Sequence, residues 1–177
     1  QRKGKFIMEI RENTISISVN NKPDVMARIA GTFSGRGFNI ESIAVGASEV
    51  TDMSRMTIVV DGSSTLVEQV RKQLDKVIDV IKVSDITGET TITRELALIK
   101  VKSTAATRSE IMQIVDIFRA KILDVAVDSV TVEVTGDEAK VTSLYNLLKG
   151  FGIKEISRTG IIGMTRGGTA QIAPEEV

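Results

Sequence analysis

The element order of this 177-residue chain predicts an α+β fold made of two tandem copies of one unit, strand–helix–strand–strand–helix–strand. Three observations carry the prediction. Apolar residues switch between strand and helix periodicity in the same order in both halves. Helical stretches open on residues that cap helices well. A Thr/Gly/Glu-rich link, Thr87 to Thr93, separates the halves.

In the first half, Thr14 to Val19 alternates, with Ile15, Ile17 and Val19 on one face and Ser16 and Ser18 on the other, the mark of a half-buried strand. Asn20-Asn21-Lys22-Pro23-Asp24 is a turn that also opens a helix, since Asp caps and Pro belongs near a helix start. Val25, Met26, Ile29, Ala30 and Phe33 recur at helical spacing, and Gly35 and Gly37 supply a stop. Phe38 to Val45 and Arg55 to Val60 read as strands. Thr65 to Glu68 fits a capping box for a helix carrying Val67, Val70, Leu74 and Val77, and Val80 to Ile86 forms a last strand.

The second half repeats this order. Leu96 to Lys102 is a strand, and Thr107 to Glu110 is another capping box leading into Ile111, Ile114, Val115 and Phe118. Ile122 to Val127 and Val130 to Thr135 are strands. Glu138 to Lys149 is a helix meeting Gly150, and Ile153 to Ile162 closes the set. This is the split pattern of ferredoxin-like βαββαβ domains. The expected division is an N-terminal extension over 1–13, a domain over 14–87, a linker over 88–93, a second domain over 94–166 and a tail over 167–177.

Composition narrows the chemistry. Hydrophobic residues at 42% permit a sizeable core, and 23 basic against 23 acidic residues leave no net field for nucleic acid or an anionic membrane. The chain has no His, Cys or Trp, which excludes imidazole-dependent triads, thiol nucleophiles and the usual zinc sites. Absence of cysteine is compatible with a reducing cytoplasm, where we place the chain. No apolar run approaches a membrane span, and Phe6-Ile7-Met8 is too short for a signal-peptide core.

Gly35-Arg36-Gly37 follows a helix rather than opening one, so it reads as a helix stop and not a phosphate loop. RNA-recognition modules share the element order but stack bases on strand aromatics. Here aromatics are 3% of the chain, and Phe33, Phe118 and Tyr145 fall on apolar helix faces. No carboxylate pair stands out as catalytic. The segment from Asn21 to Ile40 is more informative. A turn feeding a helix N-terminus offers amides and a positive dipole end to a carboxylate, and Asn21 adds an amide side chain. The same residues also read as ordinary turn and cap residues.

Several stretches together resemble the small subunit of acetohydroxyacid synthase, an ACT-domain family. They are Asn21-Lys22-Pro23-Asp24-Val25, Arg36-Gly37-Phe38-Asn39-Ile40-Glu41-Ser42-Ile43, Ser54-Arg55-Met56-Thr57-Ile58 and Gln69 to Val83. In the second half they are Arg94-Glu95-Leu96, Leu98 to Val101, Asp116 to Lys121, Val132 to Gly136, Arg158 to Ile161 and Thr165 to Gly167.

The resemblance implies a non-catalytic regulatory subunit that forms a homodimer through its N-terminal ACT domains. It further implies binding of a branched-chain amino acid, usually valine, at the dimer seam. The catalytic partner subunit would hold thiamine diphosphate, Mg²⁺ and FAD, this chain having no cofactor of its own. The small subunit would raise the partner's activity and confer feedback inhibition. Carried onto matching positions, Asn21, Asp24 and Val25 meet the effector from one protomer and Asn39 and Ile40 from the other. Val25 and Ile40 would wall the apolar side chain, a contact that separates homologues one methylene apart by only about 1–3 kcal/mol.

Asp24 departs from the family, which usually has glycine there. A carboxylate at this point adds bulk and repels the effector's own carboxylate, unless it turns away or pairs with the ammonium. Feedback is therefore expected to be weakened or altered. A free-standing amino-acid sensor and a ferredoxin-like enzyme are the rival readings.

Overall fold

The computed structural model describes residues 11–34, 38–88 and 90–167. They divide into two compact units, one of Thr93–Ile162 and the other of the described residues on either side. Each unit is an α+β layer pair of the predicted element order.

The first unit holds β1 (Arg11–Asn20), α1 (Val25–Phe33), β2 (Asn39–Ala47), β3 (Met53–Gly62), α2 (Ser64–Leu74) and β4 (Val80–Asp85). Its antiparallel sheet has the order β2-β3-β1-β4. Ile15 and Ile17 of β1 stand opposite Ile58 and Met56 of β3, and Val25, Ile29, Val70 and Leu74 from the helices pack onto that face. Phe33 closes the core edge-to-face against Phe38, ring centroids 6.2 Å apart.

The second unit repeats this with β5 (Thr91–Lys102), α3 (Arg108–Ile117), β6 (Lys121–Val125), β7 (Ser129–Gly136), α4 (Glu138–Lys149) and β8 (Ile153–Arg158), in sheet order β6-β7-β5-β8. Thr91 and Ile92, at the start of β5, belong to the first unit. Ala97, Ile99, Val101, Val132, Ile111, Leu144 and Leu148 form its core. A short strand β9 (Ile162–Thr165) pairs with β5.

Several local expectations are corrected. β1 starts at Arg11, so residues 11–13 are strand and not extension; their polar side chains give no alternation, but the backbone pairs with β3 and Asn13 Nδ2 donates to Gly62 O at 2.9 Å. β1 is also buried on both faces, because Ser16 and Ser18 are covered as well as the isoleucines. On that second face Gly163 N donates to Thr57 Oγ1 at 3.4 Å.

The two capping boxes do not form. Ser63, extended at ψ 159°, caps α2 by accepting from Leu66 N, which puts Thr65 inside the helix. Thr107 is itself helical and its hydroxyl accepts instead from Thr104 N at 2.9 Å. The link over Thr87 to Thr93 already joins β5 at Thr91. The last predicted strand is two: the chain turns at Gly160, φ 83°, a conformation glycine adopts without Cβ strain. The predicted glycine stop at Gly35 and Gly37 lies outside the described residues; α1 ends at Phe33, with Ser34 as its extended C-cap.

Candidate effector site

Where β1 runs out, the backbone is tied down on both sides before α1 begins. Asn20 N donates to Asp79 O at 2.9 Å, Asn21 N to Asp52 O at 2.8 Å and Lys22 N to Asn20 O at 2.9 Å. Pro23 fixes one torsion of the turn. Asp24 is the N-cap residue of α1, but at φ −99° and ψ −4° its side chain makes no cap bond. Among the described residues the first-turn amides of Met26 and Ala27 have no acceptor. These amides and the helix dipole form an end suited to an anion.

The Asp24 carboxylate instead takes a hydrogen bond from Arg28 Nη2, one helical turn on. Arg28 is held from its other side, donating through Nη1 to Ile78 O at 3.2 Å and Asp79 Oδ2 at 3.4 Å. Asp79 also accepts from Lys22 Nζ at 2.7 Å and Asn20 Nδ2 at 3.1 Å, with its own backbone at φ 71°. The charges of Lys22, Arg28, Asp24 and Asp79 cancel. The Arg28 hydrogen bond holds the Asp24 carboxyl below its ordinary range, and bonds from Lys22 and then Asn20 do the same for Asp79.

The structure separates the five predicted contacts into two sets. Asn21 and Asp24 are exposed at the end of β1, while Val25 is 1% exposed and packed in the core, so it presents backbone and not side chain. Asn39 and Ile40 begin β2. Register places Asn39 and Glu12 both against Asp61, whereas Asn20 stands against Met53. Eight strand residues therefore separate the sets, about 26 Å at the usual rise. One chain does not bring them together. Asn39 is exposed and donates to Glu41 Oε1, and Ile40 packs half-buried against the core.

Arg28 and Asp79 are the site residues that sequence reasoning missed. The spacing of Asp24 and Arg28 was a legible helix pair, but Asp79 lies 51 residues from Arg28 and carries no local signal.

Among the described residues no group of three or more His, Cys, Asp or Glu is placed to hold a metal, and no helix is long and apolar enough to cross a membrane.

Comparison with known proteins supplies the frame for this geometry. Residues 15–82 match the AHAS small subunit-like ACT domain, and residues 94–167 match the family described as the small subunit of acetolactate synthase. The chain belongs to the acetolactate synthase small-subunit family. It is 54% identical over 156 residues to a probable acetolactate synthase small subunit of Archaeoglobus fulgidus, covering 88% of this chain and 98% of that one. Identity to the acetolactate synthase small subunit of Mycobacterium bovis is 49% over 160 residues, covering 90% and 95%. The crystal structure of the small subunit from Thermotoga maritima superposes with a TM-score of 0.83 at 44% identity, covering 90% of this chain and all of the other. The first unit is thus an ACT domain, and both units are ferredoxin-like.

Proposed function

We propose that this chain is the non-catalytic regulatory subunit of acetolactate synthase in branched-chain amino acid biosynthesis. It binds the cytoplasmic catalytic subunit, raises that subunit's activity and confers feedback inhibition by a branched-chain amino acid, valine first among them. Thiamine diphosphate, Mg²⁺ and FAD belong to the catalytic partner. The observation that carries this reading is family similarity across nearly the whole length of the relatives.

The geometry supports an effector site at a two-fold seam. β2 is the edge strand of its sheet, with Ile43 and Val45 half-exposed on the helix-bearing side and Met26 of α1 likewise. Antiparallel pairing of β2 with a second copy, centred near Ile43, sets Asn39 of one copy opposite Ala47 of the other. Ala47 stands against Ser54 of β3, beside the Met53–Asn20 pair that precedes the effector turn. Such a contact is isologous and brings Asn21 and Asp24 of one copy to Asn39 and Ile40 of the other. The α1 amides then take the carboxylate and Ile40 lines the apolar side. Effector binding favours one arrangement of the dimer, and the catalytic partner responds to that shift.

The test is acetolactate production by the cognate catalytic subunit, with and without this chain, across a valine titration. Stimulation that valine reverses is the expected result. Stimulation without inhibition keeps the regulatory role and removes valine as effector; no stimulation overturns the proposal in favour of a free-standing sensor.

A further inference from the structure

We infer that Arg28 is the positioning residue that lets this effector site accept a carboxylate despite Asp24. The inference rests on the effector site proposed above. Four observations converge on it. Asp24 stands at the N-cap, the position from which a carboxylate ordinarily folds back onto first-turn amides. Here it does not, because its backbone is helical and its carboxylate is bound by Arg28. The Met26 and Ala27 amides have no acceptor among the described residues, as the first turn of a helix without a side-chain cap leaves them. Arg28 is anchored by Ile78 O and Asp79 Oδ2, so the guanidinium that faces Asp24 is held from behind.

Two penalties are removed at once. With Arg28 in place, Asp24 does not compete for the amides as an internal ligand, and its charge does not stand uncompensated beside an incoming carboxylate. Without Arg28, Lys22 alone faces two carboxylates, and the end of α1 becomes net negative. A helix N-terminus next to an unpaired anion on its own chain is a poor site for a second anion. Asp79 keeps the arrangement from reversing. Its two oxygens are already engaged by Lys22, Asn20 and Arg28, so Arg28 is shared between the two carboxylates.

The test is valine binding by the full-length chain, measured by calorimetry for the wild type, Arg28→Gln, Arg28→Lys, Asp24→Gly and the double variant Asp24→Gly/Arg28→Gln, with thermal melting as the check on folding. Arg28→Gln is expected to weaken binding roughly five- to tenfold, the scale of a lost exposed ion pair plus its unmasked charge. Arg28→Lys keeps the charge but cannot reach Asp24 and Asp79 together, so its binding is expected to fall between wild type and Arg28→Gln. The double variant recovers, because without Asp24 there is nothing for Arg28 to hold away. A purely structural role for Arg28 would not be relieved by removing Asp24.

Unchanged binding in Arg28→Gln, or a double variant as weak as Arg28→Gln, overturns the inference and leaves the effector site standing. So does a wild type that fails to bind valine while Asp24→Gly binds it. If neither binds valine, leucine or isoleucine, the site reading falls and takes the inference with it.

Discussion

The two units share a frame down to its irregularities, yet they finish the end of their first strand differently. β1 and β4 slip register between Ser18 and Val19, and β5 and β8 do so between Lys100 and Val101. β2 shifts against β3 between Ile40 and Ser42, as β6 does against β7 between Ile122 and Asp124. Asn20 N donates to Asp79 O in one unit, and Lys102 N to Gly152 O at 2.8 Å in the other. Both acceptors have positive φ, 71° and 102°. Glycine adopts that backbone without strain; aspartate holds it here while its side chain binds Lys22, Asn20 and Arg28.

The basic residue of the following helix differs in the same way. In the second unit Arg108 Nη2 donates to Ala126 O at 2.8 Å and Val127 O at 2.9 Å, and Nε donates to Ser103 Oγ at 3.3 Å. That guanidinium ties the strand–helix loop to the β6–β7 turn and spends its donors on neutral groups. In the first unit the equivalent end carries four balanced charges; among the described residues two first-turn amides lack an acceptor in each unit, Met26 and Ala27 in one and Ser109 and Glu110 in the other. One frame therefore finishes its first strand either on neutral acceptors or on a balanced charge cluster, according to whether glycine or aspartate holds the left-handed position. The charge cluster is what sets the first unit apart at the proposed effector contacts, which resemblance to the family placed there.

The largest effect that sharpens the comparison is expected in the cores. Ile17 and Ile99 occupy the same place in their sheets and are both fully buried. Replacing either with Ala should cost about 3–5 kcal/mol. Native-state hydrogen exchange should show each loss confined to the mutated unit, and a loss shared equally by both would break the division into two units.

A smaller effect concerns the ion pair that the second unit buries. Glu95, its side chain 3% exposed, accepts from Arg158 Nε at 3.3 Å and from Nη2, while Arg158 is 41% exposed. Arg158→Ala leaves a buried carboxylate and should cost about 2–3 kcal/mol in urea unfolding. Glu95→Gln leaves a cation that water reaches and should cost less. Equal losses would show that water reaches Glu95 as well.

Acid should separate the units more gently. In the first unit Asp24, Glu68 and Asp79 are all held below their ordinary range, by Arg28, Arg71 and Lys22 respectively. In the second unit Asp128 is so held, by Lys154. Carboxyls with folded values below their unfolded ones contribute stability that is complete above about pH 4 and lost as pH falls through the folded values. Amide exchange in the first unit should therefore accelerate first on acidification below about pH 4. Simultaneous acceleration in both units would remove the electrostatic contrast.

Much of this was legible from residue order. Ile15, Ile17 and Val19 marked a strand because alternation follows from the pleat, and Glu138 to Lys149 marked a helix over the bounds that α4 has. Asn21-Lys22-Pro23-Asp24-Val25 marked the turn proposed here for the effector through its resemblance to a family. The strand residues Arg11 to Asn13 were missed because their side chains are polar and only the ladder to β3 reveals them. The capping boxes are not legible from residue types alone, because a cap depends on where the backbone leaves the helical region, which Ser63 does and Thr65 does not.

Local periodicity and cap chemistry thus determined the element order, the duplication and the two helical layers, since these depend on neighbours a few residues apart. Tertiary structure decided the rest. The burial of Ser16 and Ser18 arises from what covers the second face of β1, which no alternation pattern encodes. The setting of Asp24 depends on Arg28 and on Asp79, brought near by the β1–β4 pairing, and the separation of Asn39 from Asn21 depends on strand order. Each is a relation between residues far apart in the chain, and only the folded sheet sets those distances.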